Sequence, residues 1–107
     1  MVVSRFDIFQ VDLNPTRGKE INKTRPCVII SPDSLNRHLS TVILAPLTST
    51  RKPYPSRVDS AFRSKPGQIA LDQLRTVDKQ RLGKKVGTLD KRTARAVLAT
   101  LLALFAP

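Results

Sequence analysis

The chain has no tryptophan, one tyrosine, one cysteine, one histidine and only eight Asp and Glu among its 107 residues. Each scarcity closes a class of function. Phe6, Phe9, Tyr54, Phe62 and Phe105 are the only aromatics, so aliphatic residues build most of the interior, which counts against a broad aromatic platform for stacking bases. The single Cys27 rules out a disulfide framework within one chain. Inside the apolar run Cys27-Val28-Ile29-Ile30 it reads as a small buried hydrophobe. His38 is the only imidazole, and its spacing from Cys27 suggests no pair. A two-histidine acid–base scheme is closed for the same reason.

The acids Asp7, Asp12, Glu20, Asp33, Asp59, Asp72, Asp78 and Asp90 are spread singly and form no metal-ligand motif. Gly83-Lys84-Lys85-Val86-Gly87 has the wrong glycine and lysine spacing for a phosphate loop. No metal or cofactor is therefore expected. Ala96 to Pro107 is apolar but falls short of the roughly 20 residues that cross a bilayer. Met1-Val2-Val3-Ser4-Arg5 lacks the long apolar stretch of a signal peptide. The expectation is a cytoplasmic protein with no membrane partner.

Positive charge is what the chain has in excess. Nineteen Lys and Arg against eight acids give a net charge of +11, which suits a polyanionic partner. With no break in composition, residues 1–107 read as one domain.

Phe6 to Leu13 reads as a central strand, with Phe6 and Ile8 on one face and Phe9, Val11 and Leu13 on the other. Asn14-Pro15 ends it, and the segment to Thr24 is a charged loop. Pro26 lacks an amide donor and pushes Arg25 toward an extended backbone, so it fits the start of a second strand through Ile30. Asp33 to Asn36 makes a helical turn. Thr41 to Leu47 supplies a third strand, with Pro46 marking the end of its ladder. Ser49 to Gly67, with its prolines and basic residues, reads as a mobile element containing a short strand near Arg57-Val58-Asp59. Gln68 to Leu74 and Thr76-Val77 read as strand, and Arg81 to Leu89 as a basic turn and short strand. From Asp90, a plausible N-cap, apolar residues recur at helical spacing through Phe105. The pattern predicts a mainly β fold, a small antiparallel barrel closed by a C-terminal helix.

The pairing of Lys23-Thr24-Arg25-Pro26 at the mouth of one strand with Pro46-Leu47-Thr48 at the exit of the next looks like a phosphate site. Arg25 could stabilise a phosphorane while Thr48 orients an oxygen. The two meet if the second and third strands run antiparallel. Glu20 could accept a hydroxyl proton or a base-edge hydrogen bond, or could merely neutralise Lys19 or Lys23. Arg75, Lys79, Arg81, Lys84 and Lys85 read either as one edge of a nucleic-acid groove or as a solvated surface.

Four fragments in order carry a resemblance. They are Asp7-Ile8 with Val11-Asp12-Leu13-Asn14-Pro15; Gly18-Lys19-Glu20-Ile21-Asn22-Lys23-Thr24-Arg25-Pro26-Cys27-Val28-Ile29; Pro46-Leu47-Thr48-Ser49; and Asp72-Gln73-Leu74-Arg75-Thr76-Val77-Asp78-Lys79-Gln80-Arg81-Leu82. Over nearly its whole length the chain resembles the MazF/PemK family of toxin endoribonucleases. The resemblance implies a compact SH3-like barrel and a homodimer. It also implies metal-independent cleavage of single-stranded RNA, usually mRNA, at short motifs, leaving 2',3'-cyclic phosphate and 5'-hydroxyl ends. Arg25 and Thr48 would be the catalytic pair, with Glu20, Gln73, Lys19 and Ser49 at the substrate. A guanidinium, protonated at physiological pH, is a poor proton acceptor, which favours Arg25 as stabiliser and proton donor.

The family's usual partner is an antitoxin whose acidic, poorly ordered segment lies across the RNA groove. DNA would be met only through that complex. Two rivals are a gyrase-poison toxin on a related fold and a noncatalytic RNA-binding barrel. The first relies on an aromatic C-terminal tip, and this chain ends Leu104-Phe105-Ala106-Pro107, without Trp, while the Arg25 and Thr48 positions are intact.

Overall fold

The computed structural model describes all 107 residues. Its strands are β1 (Asp7–Asp12), β2 (Thr24–Ile29), β3 (Thr41–Thr48), β4 (Arg57–Phe62), β5 (Lys65–Ala70), β6 (Arg75–Asp78) and β7 (Leu82–Thr88). Helix α1 (Asp33–His38) joins β2 to β3, and α2 (Lys91–Phe105) follows β7. The strands form one curled antiparallel sheet in the order β4-β5-β3-β2-β1-β7, with β6 also paired to β3.

β1 is apolar on both sides because the sheet has a core on each face. Phe9, Val11 and Leu13 join Cys27, Ile29, Val42 and Leu44 on one side. Ile8 joins Val28, Ala45, Leu47, Ile69 and Val97 on the other, with Phe6 packed against them. Alternation along the strand produces this division directly. α2 covers the second core by burying Val97 in it and packing Leu101 against it. Its start is fixed by Asp90, whose carboxylate accepts from the Thr93 amide at 3.2 Å and the Thr93 hydroxyl at 2.6 Å.

β3 continues through Pro46 rather than ending there. Its edge opposite β2 pairs with β6 from Thr41 to Leu44 and then with β5 at Leu47 and Thr48. Pro46 thus sits where β3 changes partner on that edge. The expected strand from Gln68 to Leu74 is also divided: it ends at Ala70, and Leu71–Gln73 forms a 3-10 turn before β6.

The largest departure lies between Ser49 and Gly67. In place of a mobile element there is the full β4–β5 hairpin, paired from Arg57↔Ala70 to Phe62↔Lys65. Its two-residue turn places Arg63 at φ 52° and Ser64 at φ 63°, the left-handed pair that matches strand twist. Such turns usually carry Asn or Gly, so Arg63-Ser64 conceals the hairpin. Pro66 is tolerated because β5 pairs with β3 only at Gln68 and Ile69. The preceding arm is tied down too. Buried Gln68 accepts from the Lys52 amide at 2.9 Å and donates to the Lys52 carbonyl at 3.1 Å.

One polar cluster ties β4 to the 3-10 turn. Arg57 donates to Asp72 from Nε at 2.6 Å and from Nη2 at 3.1 Å, and the Ser56 hydroxyl adds a bond at 2.9 Å. The hydrogen bond from Arg57 is the leading cause holding the Asp72 carboxyl below its ordinary range, while burial acts in the opposite sense. A depressed folded-state value means stability that is full above about pH 4 and is lost as the pH falls through the lower folded value. Asp72→Asn should lower the melting midpoint at neutral pH by the equivalent of about 0.5 to 1 kcal/mol, since water screens this exposed carboxylate. The gap from the parent should narrow in acid; a gap independent of pH would remove Asp72 as its source.

Candidate active site

The β2–β3 register pairs Cys27 with Pro46, and continuing it by two residues sets Arg25 beside Thr48. Both side chains, with Ser49, line a groove of about 250 Å³. Its far wall is the hairpin, through Ser60, Phe62, Lys65 and Gly67. No carboxylate lines this groove, so Arg25 and Lys65 face it uncompensated. An anion is the ligand such a lining favours.

Each of the two central groups is partly committed. Arg25 donates from Nε to the Asn22 carbonyl at 2.6 Å, which fixes the plane of the guanidinium and leaves its two terminal nitrogens available. Thr48 is buried, and its Oγ1 accepts from the Thr50 amide at 3.1 Å. Its hydroxyl proton is therefore left to donate. A phosphate between them would meet a charged planar donor on one side and a neutral donor on the other.

Glu20 and Gln73 line a second hollow of about 270 Å³, with Pro46 and Arg75. Pro46, which lines this hollow, precedes Leu47 of the groove along β3. Glu20 accepts from the Arg17 amide at 2.6 Å and closes its own turn. Gln73 is bonded to the loop between β1 and β2 at both ends of its amide. Lys19 is exposed and lines neither hollow.

Of the other basic residues singled out in the sequence, most are engaged within the protein. Arg75 donates to the Leu13 carbonyl at 2.9 Å, Arg81 to the carbonyls of Asp12 and Asn14, and Lys79 to that of Asn36. Lys85 pairs with buried Asp7 at 3.1 Å. They frame the sheet rather than line the groove. Ser60, Phe62 and Lys65, which do line it, were hidden within the segment read as mobile.

A model of the PemK-like, MazF-like toxins of type II toxin–antitoxin systems matches residues 4–105. The chain belongs to the PemK/MazF toxin family. Endoribonuclease EndoA of Bacillus subtilis is 35% identical over 96 residues, covering 84% of this chain and 83% of that protein. Endoribonuclease MazF of Staphylococcus saprophyticus is 34% identical over 102 residues, covering 90% and 85%. Among solved structures, MazF from Deinococcus radiodurans superimposes with a TM-score of 0.84 at 24% identity, over 97% of this chain and 96% of that one, and shares the fold. A mycobacterial endoribonuclease solved in complex with its cognate antitoxin gives 0.82 at 26% identity, over 98% and 97%. The half-barrel with its C-terminal helix is thus the PemK/MazF fold.

Cys27 borders this site without joining it. Burial pushes its thiol up to about 12, with the charges of Arg25 and Arg75 pulling weakly the other way. Near neutral pH the buried group is therefore held as the protonated, unreactive thiol. A disulfide reagent should leave the native thiol unmodified and titrate it fully in denaturant; rapid native labelling would contradict the burial.

Gly67 keeps β5 close to β3. A Cβ built there would lie 2.6 Å from the Thr48 carbonyl oxygen. Gly67→Ala should therefore destabilise the protein by about 1 to 3 kcal/mol by forcing the strands apart. A melting midpoint equal to the parent's would show that this approach can relax.

Proposed function

We propose that the chain is an endoribonuclease toxin that cuts single-stranded RNA, principally mRNA, at short sequence motifs and without a metal. The names of its relatives support the endoribonuclease activity. The observation that carries the reading is the meeting of Arg25 and Thr48 in one groove free of carboxylates.

In the proposed reaction the 2'-hydroxyl attacks the adjacent phosphorus. Its oxygen forms the new bond and gives up its proton to solvent water, the P–O5' bond breaks, and the departing 5'-oxygen takes up one proton in exchange. The products are a 2',3'-cyclic phosphate and a 5'-hydroxyl. Negative charge gathers on the nonbridging oxygens of the phosphorane, where the terminal nitrogens of Arg25 can donate. Arg25 is also the proposed proton donor to the departing 5'-oxygen. Thr48 holds a phosphate oxygen through its hydroxyl, Ser49 stands beside it, and Lys19 and Glu20 meet the flanking RNA.

A cognate antitoxin with an acidic segment is the proposed inhibitor. The net charge of +11 and the antitoxin-bound mycobacterial structure support that partner. The working form is proposed to be a cytoplasmic homodimer. Leu102 and Phe105, exposed on α2, supply apolar surface consistent with association.

The test is cleavage of an unstructured RNA pool in EDTA, with the ends sequenced. The parent should cut, and should spare a substrate with a 2'-deoxy residue at the cut site. Arg25→Ala should fold and lose about 100- to 1000-fold in rate. Cleavage retained by Arg25→Ala would remove the mechanism, and a parent inert on the whole pool would favour a gyrase-directed or noncatalytic protein.

A further inference from the structure

Arg25 is aimed by a loop that has almost no structure of its own. Between Pro15 and Asn22 no residue belongs to a helix or strand. Its internal hydrogen bonds are confined to the Arg17–Glu20 turn, closed by the Arg17 and Glu20 amides. Only two side chains outside this stretch bond to it. Arg25 donates to the Asn22 carbonyl, and Gln73 reaches it across 52 residues of sequence.

Gln73 Oε1 accepts from the Ile21 amide at 3.0 Å, and Nε2 donates to the Lys19 carbonyl at 3.4 Å. These contacts flank the residues leading to Asn22. Lys23, next in line, stands at φ 70°, a left-handed conformation unusual for lysine. It is held there by a bond from the Leu13 amide to its carbonyl at 3.1 Å and by its own amide donating to Asn14 Oδ1 at 3.4 Å. The segment that presents the Asn22 carbonyl is thus clamped on one side by Gln73 and on the other by the end of β1.

We infer that Gln73 is a positioning residue for Arg25. It acts through the Ile21 and Lys19 backbone and the Asn22 carbonyl, rather than by contacting RNA. This inference rests on the proposed role of Arg25 in the reaction. The loop takes one acceptor site and one N–H of the Gln73 amide, so the amide is fixed by the loop before any substrate arrives. Released from Gln73, the loop would still be held by Ile21, which packs against the core around Leu13 and Cys27, so the fold should survive. The guanidinium plane, however, would lose its fixed acceptor. Misplacement of a reacting group by about 1 Å costs about 100-fold in rate.

The experiment compares the parent with Gln73→Met and Gln73→Glu on a short RNA oligonucleotide, measuring kcat and KM separately. In parallel, NMR follows exchange of the Arg25 Nε proton. Gln73→Met, similar in shape but unable to hold the amide, should lower kcat by about 10- to 100-fold with KM little changed. Its Arg25 Nε proton should exchange faster. Gln73→Glu keeps the acceptor for the Ile21 amide and should recover much of both signals. A higher KM at unchanged kcat in Gln73→Met would mean direct substrate contact and would overturn the inference. So would parent-like exchange at Arg25. Should the parent cut no RNA, the nuclease reading fails by itself, and the exchange measurement alone decides whether Gln73 orients Arg25.

Discussion

Strand β3 carries more obligations than any other element. It pairs with β2 on one edge and with β6 and then β5 on the other, and its side chains enter both cores. The chemistry follows from its register. Pairing Cys27 with Pro46 brings Arg25 to Thr48, and pairing Thr48 with Gln68 brings the hairpin wall up to them. A slip of one residue would turn Thr48 to the opposite face and send Val42 and Leu44 out of their core. Burial therefore enforces the geometry of the groove, although few of the buried residues touch it.

Features governed by short-range rules could be read before any coordinates. The alternation in β1 assigned its two faces correctly, since one residue in two must point each way. Pro26 located the mouth of β2 and the Asp90 cap located the start of α2, whereas Pro46, read as the end of a ladder, lies inside β3 where the strand changes partner. The buried state of Cys27 followed from its β-branched neighbours. Arg25 and Thr48 could be brought together on paper because a short connection between two apolar strands makes an antiparallel pair the natural result.

What could not be read has definite causes. The β4–β5 hairpin turns on Arg63 and Ser64, residues without the usual preference for a left-handed backbone, and its prolines suggested a loop. That error removed Ser60, Phe62 and Lys65 from view. Gln73 was noticed only through family likeness. Its bonds to Ile21 and Lys19 span more than fifty residues, and no local pattern announces a contact of that range.

The basic residues differ in how their charge is held. Arg51, Arg57 and Lys85 face aspartates, so their charges are largely balanced. Arg5, Arg25, Arg75, Lys79 and Arg81 donate instead to backbone carbonyls, which hold the side chain still without neutralising it. A lysine waving in solvent surrenders rotamer entropy when it meets an anion, on the order of 1 to 2 kcal/mol. These cations have already surrendered it during folding. For these five, the sheet shapes the positive field before any polyanion arrives, whereas exposed cations such as Lys19 and Lys65 are still to be gathered by the ligand itself.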